Sequence, residues 1–265
     1  MQLAQAGKLG LDDPLGKFLT DYPNREVAAK VTIKHLLTHT AGTGDIFGPE
    51  FQAHRLELRT LQDYVKLYGS RGPGFEPGSR WEYSNYGFIL LGVVIEKVSG
   101  QSYYDYVNEH VFKPAGMLST GSQPEDQAVM DCSVGYTKLG GTGDWQSNVD
   151  TLPYRGTSAG GGYSTVEDLL RFAAALQQNR LLNARYTELL TTGKVPAPNG
   201  LYAYGFEDHT INGTRCFGHG GGAAGMNGDL RICPGAGYII AVLSNVDPPA
   251  AGRISDFVTN RLPQP

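Results

Sequence analysis

The sequence is poor in cysteine. Its 3 cysteines, Cys132, Cys216 and Cys233, are odd in number and not closely spaced, which excludes a disulfide framework. Cys216 and Cys233 fall in two neighbouring predicted strands, so a bridge between them is open; two buried free thiols are the expectation. Long apolar runs are also lacking. The longest, near Phe88–Ile95, is too short to span a bilayer. No signal peptide opens the chain: Met1 is followed at once by Gln2-Leu3-Ala4-Gln5-Ala6-Gly7, which reads as the end of a helix. A basic run is missing too, and 22 Lys and Arg against 26 Asp and Glu give a net charge of −4. Nucleic acid and anionic membrane are therefore excluded as expected partners. Hydrophobic residues at 40% and charged residues at 18% exclude intrinsic disorder.

What the sequence has in quantity is glycine, 36 residues of 265, which points to tight turns and close backbone approaches. Helix signals fill the first two-thirds. Gly7 stands where a C-terminal glycine ends a helix, and Pro14 suits a first helical position. Thr32 is a candidate N-cap, and a helix opens at Thr60. Tyr86–Ser99 reads as the clearest helix, capped by Ser84 or Asn85 and ended by Gly100. Another starts near Ser102, and Ser164-Thr165-Val166-Glu167 matches a capping box for a helix reaching about Gln178. After residue 200 the pattern changes. Leu201–Glu207, Thr214–Phe217, Met226–Cys233 and Tyr238–Ser244 read as short strands between glycine turns. Pro248-Pro249 precedes a last helix, about Ala250–Asn260. The expected architecture is α+β: an antiparallel sheet flanked by helices, plus a mostly helical lobe. One domain is expected over 1–265, with the helical lobe at about 30–180 and the sheet and final helix at about 181–265.

Four constellations could carry chemistry. His35 and His39 stand at i and i+4, one face of a helix. A zinc hydrolase would need a glutamate beside the first histidine; Leu36 is there and no third ligand is evident, so structural roles are expected and no metal. Gly156-Thr157-Ser158-Ala159-Gly160 matches the nucleophile elbow of α/β-hydrolases, with Asp208 and His219 downstream. An elbow needs a buried apolar strand before the serine, whereas Asp150–Arg155 is polar and broken by Pro153, so a glycine loop is the preferred reading. The third is Trp81-Glu82-Tyr83-Ser84-Asn85, just before the strongest helix. The fourth is His219-Gly220-Gly221-Gly222, at or after a strand end, where glycines would let a substrate lie along bare backbone N–H groups.

Taken in order, these stretches resemble the serine β-lactamase-related family, which includes class C β-lactamases, penicillin-binding proteins, D-amino-acid peptidases and related esterases. The resemblance rests on Gly7-Lys8-Leu9 with Leu11-Asp12-Asp13-Pro14, on His35-Leu36-Leu37-Thr38-His39-Thr40-Ala41-Gly42, and on Phe75-Glu76-Pro77-Gly78 with Trp81–Asn85. It continues through Leu90-Leu91-Gly92, Val98-Ser99-Gly100, Pro114-Ala115-Gly116-Met117, Ser158–Gly162 and His219-Gly220-Gly221. It implies a β-lactamase/transpeptidase-like fold with a cleft between the lobes. It also implies three motifs: S-x-x-K, Y-x-N and H-x-G. Tyr83 would be the general acid/base and Asn85 would bond the substrate. His219 would sit on the third motif's strand, and Gly221 and Gly222 would bind substrate, Gly222 through half of an oxyanion hole. Histidine in place of lysine there favours small esters or amides over β-lactams, since an unperturbed imidazole is mostly neutral at pH 7. No cofactor is implied.

One motif is absent. No serine of the chain is followed three residues later by lysine, so the nucleophile of the family, and the early sheet strands that would accompany it, are missing. Without that lysine's charge Tyr83 is expected to titrate near ~10 and to be a poor base. Three readings stay open: part of a working acyl-enzyme hydrolase, a catalytically dead ligand-binding or interaction protein, or hydrolysis through water activated by Tyr83 or His219. A sheet without its early strands would leave an edge that a homo-oligomer could cover.

Overall fold

The computed structural model describes residues 1–138 and 143–262. Eleven α-helices are present among them: α1 Gln2–Gln5, α2 Arg25–Lys30, α3 Ile33–Leu37, α4 Pro49–His54, α5 Leu61–Tyr68, α6 Asn85–Ser99, α7 Tyr103–Val107, α8 Lys113–Ala115, α9 Val166–Gln177, α10 Ala184–Thr191 and α11 Ala250–Thr259. A small hairpin joins β1 Tyr136–Thr137 to β2 Gln146–Ser147. The main sheet is an antiparallel meander, β3 Val195–Ala197, β4 Gly200–Tyr202, β5 Glu207–Ile211, β6 Thr214–Ala223, β7 Met226–Cys233 and β8 Tyr238–Ser244, paired in that order. The architecture is α+β, as expected.

The helix starts follow local chemistry. Side chains of Asn24, Thr32, Thr60, Ser84, Ser102 and Asn183 each accept the backbone N–H three residues on, satisfying donors that a first turn leaves without partners. One expected cap is displaced: Thr165, not Ser164, caps α9, accepting from the amide of Asp168. Ser164 instead bonds the Thr120 hydroxyl at 2.8 Å.

Two apolar clusters divide the core. In the first, α6 is buried through Tyr86, Ile89, Leu90, Val93 and Val94 against Leu36, Phe51, Leu61, Tyr64 and Tyr68. Burial on most sides makes α6 the central helix of this lobe. In the second, Ala173 and Leu176 of α9 pack with Phe206, Phe217 and Ile232. Both α9 and α11 pack against β8. The outer edge of β8 carries no strand among the described residues.

Two strand expectations and one for the cysteines change. The predicted strand at Leu201–Glu207 is two strands, β4 and β5, turning between them at Ala203–Phe206. The strand at Thr214–Phe217 runs on through His219 and the glycines to Ala223, because β7 pairs with it over that whole length. Cys216 and Cys233 are not free thiols: they form a disulfide with Cα atoms 4.2 Å apart. The antiparallel register that sets Phe217 opposite Ile232 also brings these two cysteines face to face.

Candidate active site

Two loops, 38–44 and 74–85, which contain parts of the motif stretches His35–Gly42, Phe75–Gly78 and Trp81–Asn85, are knitted together by backbone. Gly74 N–H donates to Gly42 O, Gly78 N–H to Thr40 O and Glu82 N–H to His39 O, each at 2.8 Å. The clasp is tight at Gly42, where φ is +70° and an added Cβ would stand 2.9 Å from Phe75 O; only glycine meets both demands. Ser84 closes the clasp. Its hydroxyl caps α6 by accepting Gly87 N–H at 3.0 Å, pairs with the Thr43 hydroxyl at 3.1 Å and donates to Gly44 O. This fixes the two residues on either side of it, Tyr83 and Asn85.

Tyr83 stands at the surface of a ring cluster. Its ring centroid lies 4.0 Å from that of His39 and 6.2 Å from that of His219. The phenol does not titrate near its ordinary value, as the residues alone led us to expect. Burial of the ring pushes it up, and the carboxylates of Asp45 and Glu207 push it the same way. Asp45 also bonds Asn85, taking its backbone N–H and its side-chain Nδ2–H at 3.1 Å each. One N–H of the Asn85 side-chain amide is thus committed, and its second N–H and its carbonyl oxygen are left for a ligand.

Across the cleft, β5 pairs with β6 only as far as Glu207 opposite Gly218, while β6 continues to Ala223. The segment His219–Ala223 overhangs its neighbour and presents a backbone edge beside Tyr83. Gly218 must be glycine, since a Cβ there would overlap Leu230 O at 1.8 Å, whereas a Cβ on Gly221 would meet nothing within 4 Å. Gly221 and Gly222 are exposed along this edge.

Two residues that sequence reasoning did not assign to the site lie at its centre. Tyr202, at the end of β4, is 2% exposed. Its hydroxyl is 3.0 Å from His219 Nε2 and 3.0 Å from His39 Nε2. His39 Nδ1 accepts the backbone N–H of Ser84 at 3.1 Å, and His219 Nδ1 lies 2.5 Å from Gly220 O. Burial, and then proximity to His219, lowers His39 to about 3, so it is neutral across the physiological range. Burial raises the Tyr202 phenol above its ordinary value. The sequence marked His39 only through its motif stretch and its i+4 spacing from His35; for Tyr202 there was no signal.

The other candidates fall away from this cleft. α3 ends at Leu37, and His39 adopts φ +56° beyond it, so His35 and His39 do not share a helix face. His35 Nδ1 instead accepts Thr32 N–H at 3.3 Å. Ser158 sits in a turn closed by Thr157 N–H to Gly160 O at 2.7 Å. Its Oγ is buried without a partner and packed against α6 at Gly92, with no nucleophile elbow around it. A cavity of about 330 Å³ elsewhere is lined by Gln2, Lys8, Gln101, Tyr106 and His110, and none of Tyr83, Asn85 and His219 lines it.

Known proteins resemble this chain in sequence and fold. Penicillin-binding protein 4* of Bacillus subtilis is 39% identical over 123 residues, covering 44% of this chain and 26% of its own length. The putative penicillin-binding protein PbpX of Bacillus subtilis is 31% identical over 207 residues, 78% of this chain. That alignment spans 49% of PbpX, so the chain matches about half the length of that relative. A penicillin-binding protein from Bacillus halodurans superposes with a TM-score of 0.87 at 34% identity, covering 97% of this chain and 80% of the other. A D-stereospecific amidohydrolase from Streptomyces gives 0.80 at 31%, covering 93% and 77%. An octameric penicillin-binding protein homologue from Pyrococcus abyssi gives 0.79 at 28%, covering 93% and 58%. The model of the Beta-lactamase family matches residues 1–262, and the chain belongs to that family.

Proposed function

We propose that the cleft between Tyr83, Asn85 and the overhanging β6 edge is the acid/base and substrate-cradling side of a serine hydrolase acting on small esters or amides. The observation that carries this reading is the approach of the Tyr83 ring to His219, 6.2 Å between centroids, beside the stretch of β6 that β5 leaves without a partner strand. Gly221 and Gly222 supply backbone for a substrate to lie along, and a Gly222 N–H would stabilise an oxyanion. Tyr83, held protonated at neutral pH, is suited to give a proton to a leaving group. It becomes a base only when a cation is brought beside it.

The nucleophile is not among these residues: no serine has lysine at the third following position. We read the acyl-enzyme as requiring a Ser-x-x-Lys segment outside residues 1–265. The 265 residues alone are then a ligand-binding module without turnover. A β-lactam is the poorer substrate, since the charges acting on Tyr83 are carboxylates and would oppose a substrate carboxylate. The test is intact mass after incubation with a fluorophosphonate probe, with hydrolysis of a p-nitrophenyl ester measured alongside. No adduct is expected on the 265-residue chain, and both adduct and hydrolysis are expected once a Ser-x-x-Lys segment is fused upstream. An adduct on the unfused chain, or a fused chain still inert, rejects the reading.

Self-association is the second part of the proposal. The edge of β8 that no strand among the described residues pairs carries exposed Tyr238 and Leu243, and such an edge is a template for pairing. A Leu243→Lys change should lower the mass measured by sedimentation; an unchanged mass, or a monomeric wild type, removes this element.

A further inference from the structure

The four hydrogen bonds between Ser84 and Gly220 have only one consistent set of proton positions. A backbone amide can only donate, so Ser84 N–H leaves His39 Nδ1 bare. A neutral imidazole then carries its proton on Nε2 and donates it to the Tyr202 oxygen at 3.0 Å. The single proton of Tyr202 is free to go only to His219 Nε2, also at 3.0 Å. His219 must therefore hold its proton on Nδ1, which faces Gly220 O at 2.5 Å. A carbonyl can only accept, so the contact at the far end agrees with this assignment. The chain of bonds begins between Tyr83 and Asn85 and ends on the peptide that enters the overhanging glycine edge.

We propose that His39 and Tyr202 are positioning residues that hold His219 in its Nδ1–H form and thereby fix the Gly220 carbonyl relative to the Tyr83–Asn85 loop. Both nitrogens of His219 are committed within the protein, so His219 neither bonds the substrate nor carries its proton. Its task is to aim the Gly220–Gly221 peptide. That role rests on the reading of the cleft as the substrate site; the proton positions do not. His39 is well suited to the first link, because φ +56° at this residue turns its ring away from α3 and under Ser84. Tyr202 is suited to the second, because β4 is pinned on both sides, by Val195 of β3 and Glu207 of β5, at this very residue.

The test is long-range ¹H–¹⁵N NMR of the histidine rings in the 265-residue chain at neutral pH, which needs no turnover. The expected wild-type spectrum shows His219 protonated on Nδ1 and bare on Nε2, and His39 the reverse. Tyr202→Phe removes the donor to Nε2 and should shift His219 to the averaged signals of a tautomer mixture. His39→Leu should do the same. His39→Gln, which can accept from Ser84 N–H and donate to Tyr202, should keep His219 fixed. Circular dichroism confirms that each variant is folded. A wild-type His219 in the Nε2–H or averaged form overturns the proposal, as does a fixed His219 in a folded Tyr202→Phe. Should Tyr202→Phe not fold, the wild-type spectrum and His39→Gln decide by the same criteria. An inert fused hydrolase with the expected tautomers rejects the functional reading alone.

Discussion

Replacing Ser158 by alanine should make the protein more stable, although a serine in a G-x-S-x-G stretch suggests a nucleophile. The Ser158 hydroxyl is buried and has no hydrogen-bond partner. An orphaned buried hydroxyl costs about 1–3 kcal/mol in lost hydration. Removing the oxygen forfeits its few contacts with α6, at ~0.1–0.2 kcal/mol each, which leaves a net gain of roughly 0.5–2 kcal/mol. The same spot gives an internal control. A Cβ on Gly92 would stand 2.3 Å from Ser158 Oγ, 2.6 Å from Leu61 Cδ1 and 2.7 Å from Ser158 Cβ. Gly92→Ala therefore overpacks the lobe, at about 1–3 kcal/mol, against a helix-propensity gain of about 1 kcal/mol. Combining the two substitutions removes the worst contact but not those with Leu61 and the Ser158 Cβ. The double mutant should thus recover about 1 kcal/mol relative to additivity. Urea unfolding of the four proteins of the cycle measures this directly. A Ser158→Ala protein less stable than wild type by more than about 1 kcal/mol would refute the reasoning, for the hydroxyl would then have a partner. So would zero coupling with Gly92→Ala. In the fused hydrolase, loss of phosphonate labelling on Ser158→Ala would return the elbow reading to contention.

Three further outcomes follow from the structure. Ser84→Ala removes the cap of α6 and strands Thr43 and the Gly44 carbonyl, so stability should fall by about 2 kcal/mol, or ~4–8 °C in Tm, by differential scanning calorimetry. A drop under about 0.5 kcal/mol would contradict the cap's role. Burial alone would raise the Asp168 carboxyl, but bonds from the Thr120 hydroxyl, the Ser119 amide and Arg171 together hold it below its ordinary value. Its contribution is present above the unfolded value of ~3.9 and is lost as pH falls through the lower folded value. Asp168→Asn should therefore flatten the acid side of the stability profile below about pH 4; an unchanged slope there refutes it. Cys216 and Cys233 are 17 residues apart, a loop whose closure is worth about 3 kcal/mol. The double alanine variant should lose that amount in urea midpoint analysis, and an intact mass unchanged by reduction under denaturing conditions would show that the bridge is not formed.

Local features were legible in the residues because their causes are local. A cap at Thr32, Thr60, Ser84 or Ser102 needs only a side-chain oxygen and the amide three residues on, so the sequence window contains the whole interaction. The same holds for β8, whose run of branched side chains follows a glycine turn. Where the cause is distant, the residues misled. Gly220–Gly222 reads as a turn by itself; pairing with β7 keeps it extended and makes it the open edge of the cleft. β3 was not foreseen because Pro196 stands in its middle, a residue tolerated there because β3 is an edge strand. The disulfide depends on the register of β6 on β7, which spacing along the chain does not fix. His39 shows the difference most fully. Counted along the sequence, it is the i+4 partner of His35 on a helix. In space the helix has ended two residues earlier, and its ring faces Tyr202, 163 residues away. The motif stretches marked where the two loops lie, but what joins them to the third motif is a strand residue that belongs to none. The geometry around His219 is therefore set partly by residues that only the folded chain identifies, and tautomer measurements at His219 report on it directly.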